Sequence, residues 1–119
     1  MTSRLADPDT LAAVIVVTRF RVPQAEHAAF RGDLERARQT LAGQRGYVAG
    51  RIGRNVDDPE LWVLTTEWEG PGVYRRALSA YDVKLVAVPV LSRAIDEPSA
   101  YEPVEPGTEL NRREARSLG

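Results

Sequence analysis

Residues 61–68 read "LWVLTTEW", and Tyr74 follows Trp68 after six positions, inside "EGPGVYRRAL". Two indoles on one strand and a phenol just past the turn can serve as core and rim packing. They can also line a pocket for a flat aromatic molecule, giving ring surface and N–H or O–H donors for its oxygens. Such a molecule reacts as an acid, so a proton acceptor is the next residue to seek. His27 is the only histidine, and histidine is the side chain whose ordinary pKa suits proton abstraction near neutrality. It lies on the apolar side of a helical pattern, where a lone His is more often a satisfied core or rim residue than a base. Arg51 and Arg54 in "GRIGRN" could hold an oxyanion, although pairing with Glu67 or Glu69 on the neighbouring strand is the plainer expectation. Trp62 reads as packing, in the core or at a dimer interface.

These residues need a scaffold, and the chain changes period in an orderly way. "AAVIVVTRFRV" is rich in β-branched residues and alternates toward its end, which predicts a strand. Pro23 stops it. His27, Phe30, Leu34, Ala37 and Leu41 then recur at steps of three and four, predicting an amphipathic helix of roughly 18 residues that ends near Gly43. "YVAGRIGRN" and "LWVLTTEWE" form a hairpin across "NVDDPE", with Gly50 and Gly53 marking a bulge or a close backbone approach. A short helix over "VYRRALSAY" follows "GPG". Residues 82–95 are ambiguous: β-branched content and Pro89 suit an edge strand, whereas Leu85, Val88, Leu91 and Ile95 make a stripe that suits a kinked helix. "SAYEPVE" reads as a last edge strand, limited by its prolines.

The order is an α+β arrangement with helices on one side of an antiparallel sheet. Residues 1–10 read as a flexible polar leader, 11–105 as one α+β domain, and 106–119 as a polar tail, disordered or packed on a partner. On the third strand Trp62, Leu64, Thr66 and Trp68 project one way, and Leu61, Val63, Thr65 and Glu67 the other. Large apolar groups on both faces, with helices for only one, predict a homodimer through the open face.

Composition removes several classes. The 119 residues carry 16 Lys and Arg against 17 Asp and Glu, a formal charge of -1. No net basic field draws the chain to nucleic acid, and the middle strand lacks the closely spaced aromatics of a sheet-type RNA binder. Without cysteine there is no disulfide, thiol nucleophile or thiolate metal site. "LAAVIVV" is too short to span a bilayer, so neither nucleic acid nor membrane is expected as a partner, and the expected location is cytoplasmic. Dinucleotide, P-loop, zinc-protease and nucleophile-elbow motifs are missing.

"FRVPQAEHAAF", "GQRGYVAGRIGRNVDDPELWVLTTEWEGPGVYRRAL" and "VLSRAIDEPSAYE" resemble, in that order, the antibiotic biosynthesis monooxygenase family. The resemblance implies a ferredoxin-like antiparallel sheet with helices on one face, closing as a dimeric α+β barrel, and it favours helix over residues 82–95. Its cofactor-free oxygenases imply oxidation of a planar polyphenol, an anthrone or a quinol, to a quinone. The deprotonated substrate itself reduces dioxygen; one oxygen atom stays on carbon and the other leaves as water. No cofactor or metal is then required. Trp68 and Tyr74 match the family positions that stack on or hydrogen-bond to the polyphenol. Four residues before the indole those oxygenases carry an Asn, where this chain has Leu64. Haem-degrading members use an axial His in the following helix, and residues 73–83 contain none. The expected site is therefore Trp68, Tyr74 and His27 as base, with Leu64 and Arg51 against a small aromatic molecule. The other reading is a non-catalytic aromatic-ligand-binding or accessory protein of polyketide-type metabolism.

Overall fold

The computed structural model describes residues 13–110, so the expected leader and the tail beyond residue 110 lie outside it. The β-branched run forms β1 (Val14–Arg21). A 3-10 turn at Gln24–Glu26 leads into α1 (His27–Ala42), which buries Phe30, Leu34, Ala37 and Leu41. The hairpin is β2 (Tyr47–Arg54) and β3 (Leu61–Trp68). Then come α2 (Pro71–Leu78), a π-turn at Val83–Ala87 running into α3 (Val88–Leu91), and β4 (Ala100–Tyr101). The four strands lie in the order β2-β3-β1-β4, and every pairing is antiparallel. This is a ferredoxin-like α+β sheet with helices on one face.

Strand alternation decides what faces the helices. Trp62, Leu64, Thr66 and Trp68 of β3 are buried with Val14, Val16 and Phe20 of β1 beneath α1 and the C-terminal helices. Phe20 and Phe30 meet edge to face, 5.1 Å between centroids. On the other sheet face Leu61, Val63 and Thr65 are half-buried and Glu67 is exposed. The bulge falls between Tyr47 and Ala49, just before Gly50. Gly50 itself is the close approach: a Cβ there would overlap the Tyr47 hydroxyl and crowd the Thr65 carbonyl. Gly46 turns the chain into β2 at φ 90, against Val73.

Residues 83–91 are helical, but the stripe on them is different from the one the sequence suggests. Val83, Ala87 and Val90 are buried, whereas Leu85 is 62% exposed and Val88 36% exposed. Asp82 caps the Val83 N–H, and the Val88 N–H reaches back five residues to the Val83 carbonyl. Pro89 has no N–H, and its ring crowds the preceding turn; one wide turn accommodates it and shifts the helix phase. The expected last strand over 99–105 shrinks to two residues opposite Ile15 and Val16.

Candidate active site

The helix face of β1 carries Thr18 in line with Val14, Val16 and Phe20, and at Thr18 the covering helices leave a gap. The result is a cavity of about 320 Å³, within the roughly 300–1,000 Å³ range of small-molecule sites. From α2 it receives Tyr74 and Leu78, one helical turn apart, and from α3 Val88 and Leu91. Its remaining wall is a strap, residues 95–99, that runs along the free edge of β1. The Val17 N–H donates to the Ser99 carbonyl at 2.7 Å, and the Ile95 N–H donates to the Arg19 carbonyl at 2.8 Å. Between those two bonds the strap swings outward. The Arg19 N–H points to the same edge by strand alternation, and no backbone group of the strap accepts from it. The Arg19 guanidinium instead holds the strap through Glu97, with Nε and Nη2 each donating to a carboxylate oxygen at 2.7 Å.

Three titratable side chains line this space. Burial pushes the Tyr74 phenol up, so it is a neutral hydroxyl near pH 7. Hydrogen bonding to Arg19 holds the Glu97 carboxyl below its usual value, and the same bond raises the Arg19 guanidinium. The hydroxyls of Thr18 and Tyr74 make no hydrogen bond among the described residues, which leaves both available to a ligand.

The Glu97 shift sets the pH dependence of the strap. A depressed folded-state value means the attachment contributes fully above the ordinary carboxyl value of 4.5. It is lost as pH falls through the lower folded value. Hydrogen exchange should therefore show Val17 and Ile95 amides opening on acidification below about pH 4.5, before the core amides of β3. In Glu97→Gln those two amides should already exchange faster at neutral pH.

Of the residues the sequence proposes for the site, only Tyr74 reaches the cavity wall. Trp68 is 1% exposed and its N–H donates to Thr66 Oγ1 at 2.8 Å, so the expected free indole donor is spent inside the core. The indole instead backs Tyr74, 5.4 Å between ring centroids, and meets Tyr47 edge on at 5.3 Å. Leu64 is a core residue, 2% exposed, and does not line the cavity. Arg51 is exposed and sits opposite Thr65 on the far face of the sheet. The expected Arg51 and Arg54 pairs with Glu67 or Glu69 do not form. Arg54 lies over Trp62, 5.8 Å from the ring centroid. His27 does not face the cavity: its Nε2 meets the Val22 carbonyl at 3.0 Å and its ring packs edge on to Trp62. The 3-10 turn at Gln24–Glu26 between Val22 and α1 folds that imidazole back onto its own connection. Trp62 is core, with its N–H unpartnered among the described residues.

The sequence reading missed Thr18, Arg19 and Glu97. Thr18 had a signal, as a hydroxyl on the apolar face of a strand; Glu97 had none, because only the path of the strap brings it to β1. Among the described residues no group of three His, Cys, Asp or Glu side chains converges as a metal site. No helix among them is long and apolar enough to cross a membrane.

A family model described as antibiotic biosynthesis monooxygenase matches residues 13–82. The chain belongs to this family. The antibiotic biosynthesis monooxygenase match runs from β1 through α2 and stops before α3 and the strap, which build the outer half of the cavity. Solved structures extend the likeness. SnoaB, a cofactor-independent oxygenase from Streptomyces nogalater, is 24% identical over 79% of this chain and 95% of that one, with a TM-score of 0.68. A conserved protein from Methanosarcina mazei Go1 is 18% identical over 79% and 95% of the two chains, TM-score 0.65. Rv0793 from Mycobacterium tuberculosis is 14% identical over 79% and 97%, TM-score 0.65. No curated protein matches the chain.

Proposed function

We propose that this protein is a cofactor-independent monooxygenase that oxidises a planar phenolic substrate, anthrone-like or quinol-like, with dioxygen. The observation that carries this reading is the cavity itself. Half of its lining residues are aliphatic, and the hydroxyls of Thr18, Tyr74 and Ser99 on its wall have no hydrogen-bond partner among the described residues. The likeness to SnoaB, described as a cofactor-independent oxygenase, supports the same chemistry. A phenolic substrate supplies its own electrons, so the protein need only bind it, hold its developing oxyanion and limit water. The balance closes without another reductant: one atom of dioxygen enters the ring carbon, and the second leaves as water with two substrate hydrogens. Oxygen uptake with dithranol, by chelator-treated and flavin-free protein, should exceed autoxidation. In Tyr74→Phe it should fall about tenfold or more, the cost of a hydrogen bond to developing charge. Uptake unchanged in that variant, or dependent on added flavin, would remove this reading.

The spent indole N–H of Trp68 and the distance of His27 from the cavity favour a second reading, a binding or accessory protein that holds an aromatic intermediate without oxidising it. Tight binding with oxygen uptake at the autoxidation rate would select it. In either case the half-buried Ile15, Val17, Leu61 and Val63 on the helix-free sheet face are expected to pack against a second copy. Sedimentation equilibrium at micromolar concentration should give twice the 13.2 kDa chain mass.

A further inference from the structure

α2 has a second face. Tyr74 and Leu78 line the cavity, whereas Val73, Arg76 and Ala77 line a separate cleft of about 200 Å³. Spacings of three and four residues put those three side chains on one stripe of the helix. Gln44 and Arg45, from the turn that leads into β2, face them across the cleft. The two walls are held together by packing, since Val73 lies so close to Gly46 that a Cβ there would overlap it, and Ala77 is buried.

Both guanidiniums of this cleft lack a counter-charge. Neither Arg45 nor Arg76 makes a hydrogen bond or ion pair among the described residues, and no carboxylate lines the cleft. Asp82 is engaged, accepting from Gln44 Nε2 at 3.3 Å and from the Val83 N–H at 2.9 Å. Glu69 is exposed and absent from the walls. The Arg76 guanidinium lies back over its own helix, where a Cβ at Gly72 would stand 3.7 Å from Nη1. Each guanidinium therefore keeps its five N–H donors for solvent or a ligand. In a chain whose formal charge is -1, this positive field is local.

What two such forks select follows from shape and charge. A carboxylate is planar and singly charged, and one fork satisfies both of its oxygens. A phosphate group is tetrahedral, carries close to two negative charges near neutrality and offers three oxygens to donors on different walls. A cleft of about 200 Å³ lies below the range for drug-sized molecules. It suits the charged group itself, with the rest of an esterified ligand lying outside.

We infer that this cleft is a phosphate-binding site, formed by Arg45 and Arg76 and separate from the cavity that Tyr74 lines. α2 is then a wall common to two sites, one for an aromatic molecule and one for an anion. The phosphate site does not depend on what chemistry the cavity performs.

Isothermal titration tests the inference, in physiological salt, where exposed charges are screened beyond about 8 Å. Inorganic phosphate and glycerol 3-phosphate should each bind saturably, one per chain, and the tighter of the two tells the free ion from an ester as the source. Affinity for the ester should rise as pH passes about 6, where its second proton leaves. Acetate should bind at least about tenfold more weakly. Arg45→Gln and Arg76→Gln should each weaken phosphate binding about tenfold, the loss of a charge-assisted fork. Both side chains are exposed, so both variants should keep their fold. Arg75→Gln removes the same charge one position away, outside the cleft, and should leave affinity within about twofold. Ala94→Trp, which narrows the aromatic cavity, should also leave it unchanged. Absence of saturable binding, equal binding of acetate, or an equal loss in Arg75→Gln would overturn the inference. Loss of phosphate binding in Ala94→Trp would move the anion into the cavity and overturn it as well. The oxygenase reading fails separately, on oxygen uptake, which none of these titrations measures.

Discussion

Replacing Trp68 with Ala is expected to destabilise the fold by about 3–5 kcal/mol, the usual cost of emptying a buried aromatic site. The indole is 1% exposed, backs both Tyr47 and Tyr74, and satisfies the only buried polar side chain of the core, Thr66, among the described residues. For a chain of this size each kcal/mol is worth roughly 4–8 °C, so thermal unfolding should move down by tens of degrees. Trp68→Phe separates packing from chemistry. It retains most of the ring contact and leaves the Thr66 hydroxyl without its donor, at a cost of about 1–3 kcal/mol. Because the N–H is directed at Thr66 and not into the cavity, oxygen uptake per folded molecule should stay within about threefold of the parent. A loss near a hundredfold in a folded Trp68→Phe protein would mean that the indole reaches the substrate, contrary to the geometry seen. The same contrast measured for Tyr74→Phe should be inverted, with little change in stability and a large change in rate.

Filling the cavity should have the opposite signature from opening the core. Ala94 lines the cavity where the chain leaves α3 for the strap. Ala94 also packs against the core, and an indole there would occupy a large part of the adjoining 320 Å³. Ala94→Trp is therefore expected to weaken binding of a tricyclic phenol by about a hundredfold, roughly 2.7 kcal/mol. Its thermal unfolding should fall far less than that of Trp68→Ala, because the cavity takes up most of the added volume. Isothermal titration beside a thermal melt checks both halves. Unchanged affinity in the Ala94→Trp protein would show that aromatic ligands bind elsewhere.

Trp68 and Tyr74 are neighbouring side chains that divide into support and site. Trp68 holds Tyr74 from behind, and Tyr74 forms the wall. The division is absent from the spacing of "WEGPGVY", where both aromatics look equally able to meet a ligand. It arises because β3 ends with Trp68 on the helix face, beneath α2, while the first turns of α2 carry Tyr74 to the edge of that cover.

Periodicity in the sequence was enough to determine the first helix and the two faces of the central strand. Phe30, Leu34, Ala37 and Leu41 recur as a helix must to bury one stripe, and "LWVLTTEW" alternates as a strand must to bury one face; both patterns are local, and both are realised. Local pattern could not resolve residues 83–91. There Pro89 forces a wide turn, and the phase of the buried stripe depends on where that turn falls. The site lies further from local rules still. Thr18, Tyr74 and Glu97 come from a strand, a helix and a strap separated by long stretches of chain, and only packing brings them around one space. His27, Leu64 and Arg51 have suitable chemistry for such a site, but their side chains are directed by the register of their own elements, to Val22, to the core and to the opposite sheet face. Residue type is written in the sequence; the direction in which a side chain meets its neighbours is decided by tertiary structure, because non-local burial outweighs the local preferences that sequence spacing records.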